Sequence, residues 1–581
     1  MTRRGPLTAA PALRELTASR GAPPDAALCT RRLACLEVLR HSSLPLASLV
    51  LQLHELLCFL RAYPGDARVR AAAESLLSGF AQRRDLQRHR RALADSGVAG
   101  TDIHYRFFAG QAQWLAQRWP QQLHLDRSDA QADARIAGAL PQLLSAAEAD
   151  ALIELKPASG YTLLDRLRGA HTDAAFLLAR IDALAAPSLV RETLSDAIDA
   201  SYVLRAGTGT PSRTHAFFAA APCSRTFARL PPRGRPELRG ELARAPRAVR
   251  RLSARMGAEL ADLAQAAMVT RARSLEAFSY AEPRDAWLVD DGEGLSFGLV
   301  GMRPERRHVL TSSHGGLTLR NGVPIGYTQA DICGRTAALS FNTFDTFRGS
   351  EAAHTFARWL AALHHLFGTT SFTIDPYQLG VGNKEGLASG AWWFYFKLGF
   401  RPRDTEVARE AQAELARLAR QPGSRTAPRT LLRLARAHLF FDRDPARPVP
   451  LPQTAALGLA AGAALGQRGG SRERALQACA HELLELCGLE RWKGFKAQER
   501  EAWLRLAPVA SLLGVPDWPL EDRRSLAQVL RSKGWRSERE HVALAIAHPR
   551  FAPALLAAGR RAESATPFGA PTGRSWPPPR P

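Results

Sequence analysis

The residues best suited to chemistry lie at Phe347-Arg348-Gly349-Ser350-Glu351-Ala352-Ala353, where an apolar run gives way to a helical pattern. A turn at a helix N-terminus presents unpaired backbone amides and the positive end of the helix dipole, so it can hold a pyrophosphate. Gly349 would let the backbone approach such a group and Arg348 would add a cation; a plain helix entry is the alternative. Other chemistries lack their residues. No glycine-rich loop ends in Gly-Lys-Ser/Thr, and Gly207 to Thr210 lacks the lysine. Ser312-Ser-His-Gly-Gly316 is no nucleophile elbow, and His364-His365 has no ligand partner at metal spacing. The seven cysteines are dispersed without a CxxC pair, which suits the reduced thiols of a cytoplasm and neither zinc nor a disulfide framework. No metal site is expected.

The elements around this turn follow from periodicity. From Ala286 to Asn342 the pattern is strand-like, at Trp287 to Val289, Leu295 to Val300, Gly316 to Leu319, Ile325 to Ile332 and Ala337 to Phe341, as in an antiparallel meander. A helix over Glu351 to Phe367, a strand over Ser371 to Ile374, a glycine-containing loop and a helix over Ser389 to Leu398 come next. Before the meander, Cys29 to Leu194 has helical spacing, as do Arg239 to Ser274 and the chain from 403 to about 558. The spacing predicts an α+β chain with a central mixed sheet, flanked by N- and C-terminal all-helical regions. The expected limits are a loose tail over 1–30, a helical domain over 31–197, the sheet domain over 198–402, a helical domain over 403–560 and a Pro-rich tail over 561–581.

Strand, Arg-Gly turn, helix, strand, loop, helix and Gly-Phe resemble, in that order, the second half of the GNAT-type N-acyltransferase fold. The likeness runs from about Gly294 to Pro402 and includes Gly322-Val-Pro-Ile-Gly-Tyr327 in the sheet floor. It implies acetyl-CoA or another acyl-CoA as co-substrate and an amine acceptor, with Arg348, Gly349, Ser350, Glu351, Ala352 and Asn383 on the coenzyme. Tyr395, four residues before Gly399-Phe400, matches the family tyrosine that protonates the departing thiolate; a core aromatic is the other reading of it. Two departures stand out. Glu351 occupies a place where the family turn carries glycine or alanine, and a carboxylate there opposes a pyrophosphate unless it points away or caps the helix. Thr336 to Phe341 also holds no acid, which leaves Asp345, Asp375, Glu351 and His354 as substitutes for a base. Asp375 before Pro376 also reads as a strand end, and Asn383 as a loop cap. A degenerate fold of this type, serving as a binding or scaffold module, is the alternative.

Bulk composition bounds the partners. The chain has 581 residues and a net charge of +23. Of its 78 basic residues six are lysine (Lys156, Lys384, Lys397, Lys493, Lys496, Lys533), which leaves 72 arginines. Such a bias with many alanines suits a GC-rich bacterial genome. A basic surface attracts nucleic acid, but the densest runs, Arg83 to Arg91 and Arg247 to Arg255, have no interleaved aromatics; solvated helix faces are the first reading of them, and a nucleic-acid-binding protein is the third functional alternative. The longest uncharged stretch, Pro448 to Gly466, is too broken to span a membrane.

Overall fold

The computed structural model describes residues 8–155, 159–224, 235–349 and 351–565. The chain divides into two compact units, each assembled from three segments. Unit 1 is Met1–Leu230, Glu259–Tyr280 and Leu319–Ile325; unit 2 is Pro231–Ala258, Ala281–Thr318 and Gly326–Pro581.

Unit 1 is helical with one small sheet. Where a loose tail is expected, Ala9–Ala18 is a helix that buries Ala12, Leu13 and Leu16. The helix Ala47–Ala62 carries a leucine stripe, with Leu53, Leu56, Leu57 and Leu60 buried. The region is not all-helical: β1 (Ile103–Tyr105) and β2 (Leu123–Leu125) both pair antiparallel with β3 (Tyr202–Leu204). Three-residue strands set no period of their own, so a helical background hides them. Their apolar residues join a core with Trp114, Leu140 and Leu164.

Unit 2 holds most of a mixed nine-stranded sheet. In chain order its strands are β4 (Ala248–Arg251), β5 (Ala281–Gly292), β6 (Leu295–Met302), β7 (Ser312–Arg320), β8 (Val323–Cys333), β9 (Thr336–Thr343), β10 (Ser371–Ile374), β11 (Arg401–Pro402) and β12 (Leu439–Asp442). In space the order is β11-β12-β10-β9-β8-β7-β6-β5-β4. β9 and β10 are parallel, and the helix Ala352–Phe367 connects them. That helix buries Phe356, Trp359, Leu360, Leu363 and Leu366 and stops at Gly368, whose φ of 74° only glycine adopts at low cost. Ile332, Ala337, Leu339, Phe372, Ile374 and Leu439 supply the sheet face that the helix covers.

A buried arginine pins this helix. Arg358 is 0% exposed. Its Nε donates to both carboxylate oxygens of Asp291 at 2.8 and 2.9 Å, and its second nitrogen donates to Asp291 Oδ1 at 2.6 Å. The remaining donors reach the Glu241 and Arg244 carbonyls.

The C-terminal segment of unit 2 is mostly but not wholly helical, with a core of its own around Trp503, Leu506, Leu526 and Leu530. It also contributes β12, which lies in the sheet rather than in a helix. Its last described helix, Phe551–Ala565, runs past the expected end of that domain; the tail from 566 lies outside the described residues. No single helix among the described residues is long and apolar enough to cross a membrane.

Candidate functional site

The parallel strands β9 and β10 share register only at Thr336–Ser371, Ala337–Phe372 and Ala338–Thr373. β9 then continues to Thr343 along β8, while β10 continues to Ile374 along β12. The parallel ladder therefore ends at Ala338 and Thr373, one residue before β10 itself ends, and residues that could do chemistry lie around this end, where an opening between the strands would be expected.

Asp375 follows β10 directly. Its carboxylate accepts the Gln378 amide at 2.9 Å and so caps the short helix Pro376–Leu379. Burial raises its pKa, an effect opposed by the Gln378 amide and His438 and reinforced by Asp331. His438 precedes β12, and β12 pairs Leu439 with Ile374. Asp375 and His438 are thus the next positions past the end of that antiparallel ladder. Burial lowers the His438 pKa, and Asp375 pulls it back up. A neutral imidazole beside a carboxylate is a proton acceptor suited to neutral pH.

Tyr395 is 3% exposed. Its ring packs edge-on against Phe356, Phe394 and Phe400 at centroid separations of 5.4, 5.1 and 5.9 Å. Burial drives its phenol well above the usual range, and the Asp375 charge pushes the same way. The ring has the surroundings of a core aromatic. Phe341, on the part of β9 that has left β10, lies parallel to Phe394 at 6.3 Å and meets Phe356 at 5.1 Å. Trp392 is fully buried and donates to the Leu434 carbonyl at 3.0 Å; Trp393 donates to Thr426 Oγ1 at 2.9 Å. Both indoles are packing residues.

The Arg-Gly turn sits at the far end of β9. Asp345, in the one-turn helix Asp345–Phe347, has a side chain 81% exposed and pairs with Arg348 at 3.0 Å. Arg348 also bonds Glu385 Oε1 at 2.5 Å, so two carboxylates hold it across the turn. A Cβ placed on Gly349 meets no atom within 4 Å, which leaves that face of the turn open. Ser350 lies outside the described residues. Glu351 takes the N-cap position in helical conformation with no side-chain cap bond, and Ala352 opens the helix. Asn383 caps the helix Lys384–Ser389 by accepting the Gly386 amide at 3.0 Å. The sequence reading leaves this stretch in a glycine-containing loop and begins a helix at Ser389; the structure has a helix over Lys384–Ser389 and a second over Ala391–Lys397, separated by Gly390 at φ 68°. His354, the other substitute for a base, lies 3.8 Å from Glu241.

The structure thus sets Asp375 at the position next to His438, which the sequence reading misses, and couples Tyr395 to the Asp375 charge. Arg348, Gly349 and Glu351 are at the turn, with Asp345 pointing to solvent. The signal for His438 is the run Leu439-Phe440-Phe441-Asp442, a short apolar strand between an Arg-rich helix and the proline-bearing stretch from Arg447. Among the described residues no group of three or more His, Cys, Asp or Glu is arranged to hold a metal ion. No protein-family model matches the chain, and no curated protein or solved structure matches it.

Proposed function

We propose that unit 2 is an acyl-CoA-dependent N-acyltransferase, with acetyl-CoA as the default donor and an amine as acceptor. The observation that supports this reading is the end of the parallel β9–β10 ladder at Ala338 and Thr373, with Asp375 and His438 one position past the β10–β12 ladder and Tyr395 electrostatically coupled to Asp375. The open face of Gly349 and the half-exposed Arg348 suit the pyrophosphate end of the coenzyme. In this reading the amine nitrogen attacks the thioester carbonyl carbon and the carbon–sulfur bond breaks. His438, with Asp375 beside it, takes the proton from nitrogen, and the Tyr395 phenol gives one to the leaving thiolate; solvent returns the proton from His438 to Tyr395. Proton transfer of this kind contributes about 10²- to 10⁴-fold each.

Calorimetry with coenzyme A and acetyl-CoA on the full chain tests the proposal. Gly349→Asp should abolish binding by setting a carboxylate against the phosphates. Absence of any heat at millimolar ligand sinks the reading.

The parallel stacking of Phe394 on Phe341, with Glu351 in the turn, favours a second reading. Here the aromatic rings close the opening and unit 2 is a non-catalytic binding module. Coenzyme binding with no acyl transfer to any amine would favour that reading.

A further inference from the structure

The sheet face opposite the aromatic core has a groove of its own. Pairing sets Asp331, Ala338 and Thr373 in one row and Cys333, Thr336 and Ser371 in another, two residues along. Alternation places all six side chains on that second face. A groove of about 320 Å³ runs along it, lined by His308, Thr311, Asp331, Thr336 and Ala338 among others. A second groove of about 440 Å³ shares His308, Thr311 and Thr454 with it and reaches Arg472 and Arg505.

Two independent features point to a ligand. Asp331 is half-buried and accepts hydrogen bonds from Ser313 Oγ at 2.5 Å and Gln329 Nε2 at 3.1 Å. No arginine or lysine pairs with it among the described residues, whereas Asp291, Asp173 and Glu414 each hold an arginine. The Asp331 charge also acts on Asp375, adding to the upward push that burial gives that carboxyl. The second feature is a set of hydroxyls. Thr336, which lines the groove, is 3% exposed, and its Oγ1 has no hydrogen-bond partner; the buried Ser371 and Thr373 hydroxyls on the same face have none either. Buried polar atoms are costly unless something bonds them. Lys533, whose Nζ donates to the Thr311 carbonyl at 2.7 Å, is turned to Glu538 at 2.5 Å and does not neutralise Asp331.

We infer that this groove binds a positively charged amine, with the ammonium on Asp331 and a hydrogen bond to Thr336 Oγ1. A cation there neutralises a carboxylate that no arginine or lysine pairs with among the described residues, and bonds a hydroxyl that the chain leaves unmatched. The volume suits a small aliphatic amine. Its role as the acyl acceptor rests on the acyltransferase reading; its binding does not.

Titration calorimetry on the full chain tests this with 1,4-diaminobutane and spermidine, and with 1,4-butanediol as the uncharged control. Both amines should bind and the diol should not, and added salt should weaken the amines. Asp331→Asn should lower amine affinity by about tenfold or more, while Glu482→Gln, at an exposed surface acid, should leave it unchanged. Ala338→Leu should block binding by filling the groove without altering charge, and it decides the matter if Asp331→Asn does not fold. No amine binding by the wild-type chain, or full binding by a folded Asp331→Asn or Ala338→Leu chain, overturns the inference. Amine binding without coenzyme A binding would retain it and remove acyl transfer; coenzyme binding without amine binding would do the reverse.

Discussion

Replacing Asp291 by alanine should cost about 3 kcal/mol of folding stability, because it strands a cation in a dry site. Arg358 is fully buried and gives Asp291 three contacts of 2.6 to 2.9 Å. Breaking a buried pair by removing one partner costs about 3–5 kcal/mol, since the remaining charge loses both water and counter-ion. The lower end applies because Glu241 Oε2, at 3.2 Å from Arg358, remains as a weaker partner. Denaturant unfolding at pH 7 measures the difference, read as a lower midpoint at unchanged slope. Arg358→Leu in the Asp291→Ala background should recover part of the loss, because it removes the stranded charge. A cost below about 1 kcal/mol for Asp291→Ala, or no recovery in the double variant, would show that the pair does not anchor the helix Ala352–Phe367.

Tyr395→Phe keeps the ring in its aromatic packing, so melting should change little; if the phenol is the acid, turnover falls by about 10²- to 10⁴-fold with coenzyme affinity unchanged, and normal turnover identifies a core residue. Gly257→Ala should destabilise although alanine favours helix by about 1 kcal/mol, because the new Cβ would strike the Pro283 carbonyl oxygen; a stabilised variant would refute the clash. Burial, aided by the Lys533 charge, lowers the His541 pKa to about 3. Between about pH 6.5 and 3 the unfolded state then binds the proton and the folded state does not, so stability is full above pH 6.5 and falls by about 1.4 kcal/mol per unit below it. His541→Phe should flatten the drop in denaturation midpoint between pH 7 and pH 5, and an unchanged drop would count against this assignment.

The meander, the helix after the Arg-Gly turn and the strand Ser371–Ile374 were legible because each is long or sharply bounded enough to set its own period. β12 was not, since four residues between an arginine-rich helix and a proline-bearing stretch offer only two alternations. Missing it hid His438, whose relation to Asp375 exists only through the β10–β12 ladder. Arginines posed the opposite difficulty. Composition assigns them to solvated faces, yet Arg358 and Arg307 are among the largest fully buried side chains, each wrapped by carbonyls from distant segments. The Asn383 and Asp375 caps were visible as turn chemistry, because a short acceptor two or three residues before free amides works locally. The second-face groove was invisible, since it depends on which residues of three strands fall into one row.

The segmented make-up of the two units governs how the chain can be made. Unit 1 lacks Glu259–Tyr280 and Leu319–Ile325 when residue 230 leaves the ribosome, and Val269, a buried member of its core, is in the first of these. Completion waits for residue 325, a further 95 residues (325 minus 230). At about 5–20 residues per second that is a delay of roughly 5 to 20 s, during which Leu115, Leu140 and Leu164 have an unfinished core around them. The N-terminal body therefore cannot close its core until those segments have emerged. Any stop codon before residue 325 releases a product that cannot complete unit 1.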